Sequence, residues 1–257
     1  MSGDADAVLD IRDLTFGYGD KTVLKNFSLR AGRKERLAIL GTSGCGKSTL
    51  LRLILGLIRP EAGSIRFENR DIAKLSGKEL NAARRRIGMV YQGAALISSI
   101  NVEENLALPL TELTDKPPDE VGKIVDEKLE LVGMKETKAK LPAELSGGMR
   151  KRIGIARALV MEPELVLFDE PAAGLDPVAT ALIDDLIVRL SERSTTCIVV
   201  THNLASAFRI ATRMAMLYDG AILEQGVPDA FRRSENPIVR QFIDGDPDGP
   251  LSPKAQG

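Results

Sequence analysis

Short stretches in which apolar and polar residues alternate recur along the chain, and this pattern predicts β-strands. Residues 8–16 and 23–29 alternate in this way on either side of a turn at residues 17–20 (GYGD), which predicts an antiparallel pair. Residues 36–40 form a short apolar run instead, which predicts a buried strand. Further predicted strands cover residues 64–67, 87–91, 165–168, 196–200, 214–218 and 222–225.

Apolar residues spaced three or four positions apart predict helices between these strands. The strand pattern stops between residues 93 and 144, which predicts a helical insertion. Elsewhere strands and helices alternate, and this order favours a parallel sheet covered on both faces. We therefore predict an α/β core with an antiparallel β subdomain and an inserted helical subdomain. The predicted helices cover residues 47–57, 102–108, 121–132, 178–193 and 204–210.

Composition narrows the possible partners. The formal net charge of the 257 residues is −1, so electrostatics give no case for nucleic-acid binding. The most apolar stretch, residues 50–58, is interrupted by Arg52 and is far shorter than the roughly 18 residues of a membrane span. No signal peptide is recognisable, and two cysteines do not make a disulfide framework. We expect a soluble, cytosolic chain that meets a membrane only through a partner.

Residues 41–49 read GTSGCGKST and fit the pattern of a P-loop. In such a loop the glycines let backbone amides close on a polyphosphate, the lysine reaches the terminal phosphates, and the hydroxyl after it holds Mg²⁺. Many unrelated nucleotide enzymes share this loop. The residues predicted to hold nucleotide here are Gly41, Thr42, Ser43, Gly44, Cys45, Gly46, Lys47, Ser48 and Thr49, with Ser48 also on the metal.

A second phosphate site is predicted at Ser146, Gly147 and Gly148, which start an apolar-periodic stretch, so that bare amides and a helix N-terminus face outward. One chain does not need two such sites for one phosphate. With its neighbours this segment reads LSGGM, and together with the P-loop it resembles the ABC-type ATPases. That resemblance implies a RecA-like P-loop NTPase that uses ATP and Mg²⁺. It also implies a head-to-tail homodimer, in which the second site closes over the partner's ATP.

An apolar strand, residues 165–168, delivers two adjacent carboxylates, Asp169 and Glu170, at the sheet edge where α/β folds place their ligands. The resemblance implies that Asp169 holds Mg²⁺ together with Ser48, and that Glu170 deprotonates the attacking water. The alternative is a solvated acid pair at a strand end.

Two further polar residues follow predicted strands at the same edge. His202, the only histidine, comes after residues 198–200, and Gln92 ends the strand before the helical insertion. The resemblance implies that His202 contacts the γ-phosphate and that Gln92 contacts Mg²⁺ and the attacking water. Without it, an exposed histidine and a surface glutamine would be the ordinary interpretations. The resemblance also makes residues 93–100, with several small and apolar side chains, the contact loop for a membrane partner.

Tyr18 and Asp176 complete the predicted site. Tyr18 lies in a glycine-flanked turn and resembles the aromatic residue that stacks on adenine, although a turn tyrosine often has no such role. Asp176 matches the family loop that crosses between subunits, and a helix N-terminal acid is an alternative that can hold at the same time.

Met149 departs from the family, in which glutamine commonly follows the two glycines and can complete a capping box. Arg150, Lys151 and Arg152 then place positive charge near the positive end of the helix dipole, which is unfavourable unless an anion lies there. ATP from the facing subunit is one such anion. A solvated basic face is the alternative.

Met149, residues 93–96 and 101–106, and the tail at residues 239–250 resemble the ATPases of MCE-type lipid transporters, such as the Mla system. That resemblance implies phospholipid transport, a position on the cytosolic face of the inner membrane, an integral membrane permease, an MCE protein and a STAS-type accessory subunit. Two alternatives remain open: the ATPase of a small-solute importer, and a soluble ABC ATPase acting in cofactor assembly.

The predicted domains are an ATP-binding core at residues 1–92 and 155–235, a helical subdomain at 93–154, and a tail at 236–257. In the tail, Val239, Phe242 and Ile243 share one face of a predicted helix behind Pro237. We expect this apolar face to be exposed and to dock on a neighbouring subunit or an accessory protein.

Overall fold

The structure is a computed structural model that describes residues 7–251, and its strands form two sheets. A four-stranded sheet has the order β2-β1-β4-β5, and a six-stranded sheet has the order β10-β9-β3-β8-β7-β6. The strands are β1 (Ala7–Tyr18), β2 (Lys21–Gly32), β3 (Arg36–Leu40), β4 (Ala62–Phe67), β5 (Arg70–Asp71), β6 (Ile87–Val90), β7 (Leu165–Asp169), β8 (Thr196–Val200), β9 (Arg213–Tyr218) and β10 (Ala221–Gly226).

The small sheet is antiparallel throughout its described pairs, which confirms the predicted antiparallel subdomain. The large sheet has a parallel core in which β3 lies between β8 and β9, and only its edge strand β10 pairs in the antiparallel direction. The central strands β3, β7 and β8 are buried except for one end residue each of β3 and β7, as the continuous apolar runs predicted. The carboxyl ends of β3, β7 and β8 therefore meet at one edge of the sheet.

The helices agree with the sequence pattern except at their ends and at two missed helices, residues 77–85 and 228–232. Helix α1 ends at Ile54 rather than near residue 57, because Gly56 adopts a left-handed φ of 64°. Helix α2 was not predicted, since Ala83 is its only fully buried residue. The helices are α1 (Lys47–Ile54), α2 (Gly77–Arg85), α3 (Val102–Leu113), α4 (Pro118–Leu131), α5 (Gly147–Leu159), α6 (Pro177–Glu192), α7 (Leu204–Ile210), α8 (Pro228–Arg232) and α9 (Pro237–Asp244).

Hydrophobic packing joins the helical insertion to the large sheet. Helix α1 covers one face of the sheet, around Ile39 and Ile198. On the other face, side chains of α3, α4, α5 and α6 share one cluster with Phe168 and Val199. Helix α5 runs without interruption across the predicted boundary between residues 154 and 155. The division into a core and a helical subdomain therefore stays a prediction.

The tail helix α9 packs on its own chain. Val239 is 0% exposed and lies in a cluster with Met214 and Met216 of β9, and Phe242 is partly buried against the same cluster. The prediction of an exposed apolar face was wrong, because this part of the sheet would otherwise be uncovered and α9 covers it.

The segment after α9 folds around the buried side chain of Gln241. Its Nε2 donates to the carbonyl oxygen of Asp246 at 3.0 Å, and its Oε1 accepts from the backbone amide of Leu251 at 2.6 Å. Gly249 lies so close that an added Cβ would be 2.6 Å from Cδ of Gln241. Residues 245–251 thus have a defined conformation, although prolines and aspartates dominate their composition. The rest of the predicted tail lies outside the described residues.

A buried carboxylate joins α6 to α7. Asp184 is 2% exposed, and Ser206 donates a hydrogen bond from Oγ to its Oδ1. Burial raises the pKa of Asp184, while the hydrogen bond from Ser206 and the charge of Arg209 offset part of that rise. Arg209 also pairs with Asp185 at 2.8 Å, so a buried and an exposed polar contact hold the same two helices together.

We expect Asp184→Asn to raise the free energy of unfolding at pH 8. The raised pKa means that the folded protein holds this proton more tightly than the unfolded chain does. Wild-type stability therefore falls as pH rises from the ordinary aspartate pKa of 3.8 through the raised pKa of Asp184. The asparagine variant does not titrate, so it does not lose this stability. Thermal melts should show a higher Tm for the variant at pH 8 and a shrinking difference towards pH 4. Asp185→Asn is the control, and equal Tm values at pH 8 would contradict the prediction.

Within residues 7–251, no helix combines the length and the apolar character needed to cross a bilayer. Cys45 and Cys197 are both free thiols, and burial raises the pKa of Cys197 to about 12.

Candidate functional site

The P-loop lies between the carboxyl end of β3 and the start of α1. Gly44 and Gly46 adopt left-handed φ values of 77° and 110°, which favour glycine. A Cβ at Gly46 would also lie 2.9 Å from Cγ1 of Val23, so this position is restricted by space as well. Gly46 is the N-cap of α1 and has no side chain that could cap it, so the first amides of the helix remain available to an anion.

Lys47 closes the P-loop on itself. Its side chain is 8% exposed, and Nζ donates to the carbonyl oxygens of Gly41 at 2.8 Å and Thr42 at 3.0 Å. Cys45 Sγ lies 4.0 Å from the same ammonium. The ammonium therefore holds the loop in shape from within and stands next to the amides that face the cavity.

Ser48 and Asp169 meet across the gap between α1 and β7. Ser48 Oγ donates to Asp169 Oδ1 at 3.2 Å. Burial raises the pKa of Asp169, and the charge of Glu170 acts in the same direction, while the Ser48 hydrogen bond opposes it. Hydroxyl and carboxylate oxygens are hard ligands of the kind Mg²⁺ takes, and a cation would offset the burial of this carboxylate. These two residues fit a magnesium ion.

Glu170 has a strained backbone and a well-held carboxylate. Its φ is 47°, a left-handed value that is unusual for a residue other than glycine. Thr201 Oγ1 donates to Oε2 at 3.1 Å, and His202 Nδ1 lies 2.8 Å from Oε1. An ionised carboxylate only accepts, so His202 then carries a proton on Nδ1. The side chain of Glu170 is 13% exposed, which leaves it accessible from the cavity.

One cavity of about 790 Å³, called the nucleotide cavity below, collects most of the predicted site. Gly41 and Cys45 lie behind the P-loop surface, with Cys45 lining a separate cavity of about 500 Å³. Lys21, Val23 and Phe242 also line the nucleotide cavity and were not predicted; Phe242 reaches it from α9. The predicted residues lining it are Tyr18, Thr42, Ser43, Gly44, Gly46, Lys47, Ser48, Thr49, Gln92, Asp169, Glu170 and His202.

The remaining predicted residues line a different cavity of about 260 Å³, which Ser146, Gly147, Gly148 and Asp176 share. Asp176 Oδ1 accepts from the amides of Val178 and Ala179, each at 2.9 Å, so it caps α6 as the structural alternative predicted. Within one chain, these four residues and the nucleotide cavity form two separate half-sites.

Helix α5 begins as predicted, and its basic residues contact the same chain. Ser146 Oγ accepts from the Met149 amide at 3.3 Å, which is the expected cap. Arg150 and Arg152 donate to the carbonyl oxygens of Leu145 at 3.1 Å and Val132 at 3.4 Å, and Lys151 is buried. Backbone carbonyls of the same chain accept these hydrogen bonds, and an anion from a facing subunit at this helix terminus stays a prediction.

The predicted contact loop, residues 93–100, is mostly exposed, but one of its residues is buried. Ala94 is 2% exposed and packs on Gly154 of α5, where an added Cβ would lie 3.1 Å from that of Ala94. Ala94 also has a left-handed φ of 61°. The side chain of Asn105 holds the loop at both the amide and the carbonyl of Ile97, and Arg157 donates to Ala94 O at 3.1 Å. Ala95 and Ile97 are exposed, and Leu96 is partly buried.

We expect Ser146→Ala to lower ATP turnover by more than its loss of stability explains. Loss of the cap costs about 1 kcal/mol, and the variant also loses a hydroxyl at the second half-site. Asn101→Ala is the matched control, because Asn101 caps α3 away from either cavity through its contact with the Glu104 amide. Thermal melts and turnover should show similar destabilisation in both variants and reduced turnover in Ser146→Ala alone. Equal turnover in the two variants would contradict the prediction.

The ABC transporter family model matches residues 24–173, and the chain belongs to the ABC transporter family. As a member of it, the chain is an ATP-binding protein that hydrolyses ATP, with Mg²⁺ as the metal cofactor. The predicted P-loop NTPase fold is likewise confirmed by the solved structures.

Three relatives from this family are similar to the chain along 95% of its length. The intermembrane phospholipid transport ATP-binding protein MlaF of Haemophilus influenzae is 39% identical over 95% of this chain and 93% of its own length. MlaF of Escherichia coli K12 is 40% identical over 95% and 91%. The probable ribonucleotide transport ATP-binding protein mkl of Mycobacterium leprae is 41% identical over 95% of this chain and 70% of its own length.

Two solved structures share the fold along most of the chain. CbiO1 from Clostridium perfringens, part of the ABC transporter complex CbiONQ, has a TM-score of 0.83 and 32% identity, and covers 93% of this chain and 95% of its own. A dimeric ATP-binding cassette in a post-hydrolysis state with ADP and Pi has a TM-score of 0.78 and 31% identity, and covers 86% and 98%.

Proposed function

We propose that the chain is the ATPase subunit of a phospholipid transporter of the MCE/Mla type. The observation that carries this proposal is the match to the MlaF proteins, which extends over 91% to 93% of their length and 95% of this chain. The family assignment gives ATP hydrolysis, and the near-complete match to phospholipid transport proteins gives the cargo. The working position is peripheral, on the cytoplasmic face of the inner membrane.

In the proposed site, each group of side chains has one task. The amides of residues 41–49 and Lys47 hold the phosphates, and Tyr18 stacks on adenine. Ser48, Asp169 and Gln92 hold Mg²⁺, which neutralises developing phosphate charge. Glu170 and His202 do not hold the nucleotide or the metal in this proposal; they take part in the hydrolysis step.

Glu170 is proposed as the general base. Its carboxylate is partly exposed to the nucleotide cavity and is fixed by Thr201 and His202, so it can orient a water and accept its proton without reorganising. His202 follows β8, as Glu170 follows β7. When both ring nitrogens carry a proton, Nδ1 donates to Glu170 and Nε2 can donate to an oxygen of the terminal phosphate. Both side chains meet because β7 and β8 are neighbouring parallel strands.

The two separate half-sites support a head-to-tail homodimer. The helix amides of residues 146–148 face a cavity that is separate from the nucleotide cavity. These amides can therefore bind a phosphate of ATP only if the ATP is held by a second chain. We propose that this segment, with Asp176 nearby, covers the ATP in the nucleotide cavity of a second copy. The membrane-spanning permease, an MCE protein and a STAS-type subunit are the proposed further partners.

A second candidate is the transport of a small polar solute. It is favoured by the 41% identity to a probable ribonucleotide transport protein, although this chain spans only 70% of that relative. The catalytic site is the same under both proposals. The difference lies in the membrane partner and its cargo.

The test is to purify the chain from membranes with its permease in mild detergent, reconstitute the complex in nanodiscs, and measure bound molecules by mass spectrometry. We expect bound phospholipid and an ATPase rate that changes when the phospholipid composition changes. Bound ribonucleotide cargo, or stimulation by ribonucleotides other than ATP in place of lipid, would support the second candidate. A complex carrying the Glu170→Gln subunit is the control for ATPase activity that comes from contaminants.

A further inference from the structure

Lys151 is the fifth residue of α5, the helix that begins at the second half-site, but its side chain points into the protein. It is 8% exposed, and Nζ donates to the carbonyl oxygen of Ala173 at 2.7 Å and to that of Glu170 at 3.4 Å. Both acceptors belong to the loop of residues 170–176, which joins β7 to α6 and ends at Asp176. One side chain therefore connects the second half-site to the backbone of the proposed base.

That backbone is in a conformation that needs support. Glu170 has a left-handed φ and precedes Pro171, and a residue before proline is normally confined to extended conformations. Strained residues of this kind persist only where the surrounding structure holds them. Thr201 and His202 hold the carboxylate end of Glu170, whereas Lys151 and the amide of Ala173 hold its carbonyl end.

Packing alone gives a poor reason for a lysine at this position. Burying an ammonium ion is unfavourable unless it is hydrogen-bonded, and an apolar side chain would fill the same space without that cost. Burial does lower the pKa of Lys151, and the charge of Glu170 acts against this. Arg150 and Arg152 donate to carbonyls of the helical insertion, so Lys151 is the member of this basic run that reaches the β7–α6 loop.

We infer that Lys151 is a positioning residue for ATP hydrolysis: it holds the Glu170 backbone in place and ties that backbone to helix α5. The inference rests on the proposed function, in which Glu170 is the base and the N-terminus of α5 closes on the ATP of a second copy. Closure at that terminus then acts on the base of the same chain through this side chain. Turnover depends on Lys151, and ATP affinity does not.

The experiment compares Lys151→Met with Lys128→Met in the full-length chain. Methionine keeps an unbranched stem of similar length and removes the donor. Lys128 is a second buried lysine, but it lies on α4, pairs with Glu127 at 3.0 Å and Glu162 at 3.3 Å, and lines neither the nucleotide cavity nor the second half-site. We measure kcat, KM, the Kd for ATP and Tm. Lys151→Met should lower kcat roughly ten- to hundredfold, the effect expected from a small misplacement of a reacting group. Its Kd should stay within about twofold of wild type, and kcat of Lys128→Met should stay within about twofold of wild type.

Lys151→Gln adds a graded comparison, because its amide keeps one donor on a shorter stem. Its kcat should lie between those of wild type and Lys151→Met, and it replaces the methionine variant if the latter does not fold. Equal kcat for Lys151→Met and Lys128→Met, or a loss of ATP affinity that matches the loss of turnover, overturns the inference.

A double variant tests whether Lys151 acts through Glu170. In single-turnover measurements on Glu170→Gln, adding Lys151→Met should slow hydrolysis by less than about twofold further, since effects of residues that act as a unit do not multiply. A full further loss shows that Lys151 acts elsewhere and overturns the inference alone. If Glu170→Gln itself turns over at the wild-type rate, the proposed base and this inference both fail.

Discussion

Glu170→Gln is expected to lower ATP turnover by about 10²- to 10⁴-fold, the usual contribution of a positioned proton acceptor. Glutamine preserves the shape of the side chain and can still accept from Thr201 Oγ1, but it cannot take a proton from water. The P-loop, Lys47 and Ser48 are untouched, so ATP and Mg²⁺ should bind with nearly wild-type affinity. Because bound ATP then persists, the head-to-tail dimer should accumulate.

Steady-state turnover and size-exclusion chromatography with ATP and Mg²⁺ test this prediction. The matched control is Glu164→Gln, since Glu164 immediately precedes β7 while Glu170 follows it, and it pairs with Arg86 at 2.6 Å away from the nucleotide cavity. The control should retain wild-type turnover. Turnover has priority over sizing, because dimerisation without the permease can be weak. A Glu170→Gln protein that hydrolyses ATP at the wild-type rate would remove Glu170 from the proposed mechanism.

Lys47→Met is expected to weaken ATP binding, whereas Glu170→Gln is expected to slow turnover. A hydrogen bond to a charged group contributes about 1.5–3 kcal/mol, so losing the ammonium next to the phosphates should weaken ATP binding roughly 10- to 100-fold. The ammonium also holds the carbonyls of Gly41 and Thr42, and its loss should loosen the P-loop in the same variant. Both effects raise the Kd.

Titration calorimetry with ATP in the presence of Mg²⁺ measures this change directly. Lys74→Met is the control, because it removes the same charge from a side chain that is 83% exposed and pairs only with Asp71 among the described ion pairs. Its Kd should equal that of wild type. If Lys47→Met binds ATP as tightly as the control does, the lysine is a structural part of the loop and not a phosphate ligand.

Sequence patterns predicted the large sheet well, because buried strands carry apolar runs that few other structures share. The predictions for residues 36–40 and 196–200 match β3 and β8 from end to end, and the nucleotide cavity gathers residues from the carboxyl ends of the parallel strands. Helix α2 escaped prediction because its surface is almost entirely polar, so its periodicity carries little signal.

Sequence patterns could not predict contacts that depend on which backbone atoms come near a side chain. The charges at residues 150–152 are visible in the sequence, but the carbonyl oxygens that accept from them come from segments up to about twenty positions away. The burial of Ala94 has the same origin, since it depends on the absence of a side chain at Gly154 in another element. Lys151 and Phe242 were missed as site residues for this reason.

The fold of the chain around Gln241 limits what a truncation can reveal. Removing residues from Asp244 onward deletes the hydrogen-bond partners of a buried amide, and it ends α9 beside Phe242, a wall of the nucleotide cavity. Poor transport by a shortened protein would then have two explanations: damage to its own nucleotide cavity, or loss of a docking partner. A fluorophore or affinity handle attached beyond Leu251 leaves this arrangement intact, and point substitutions in the segment report on partners more cleanly than deletions do.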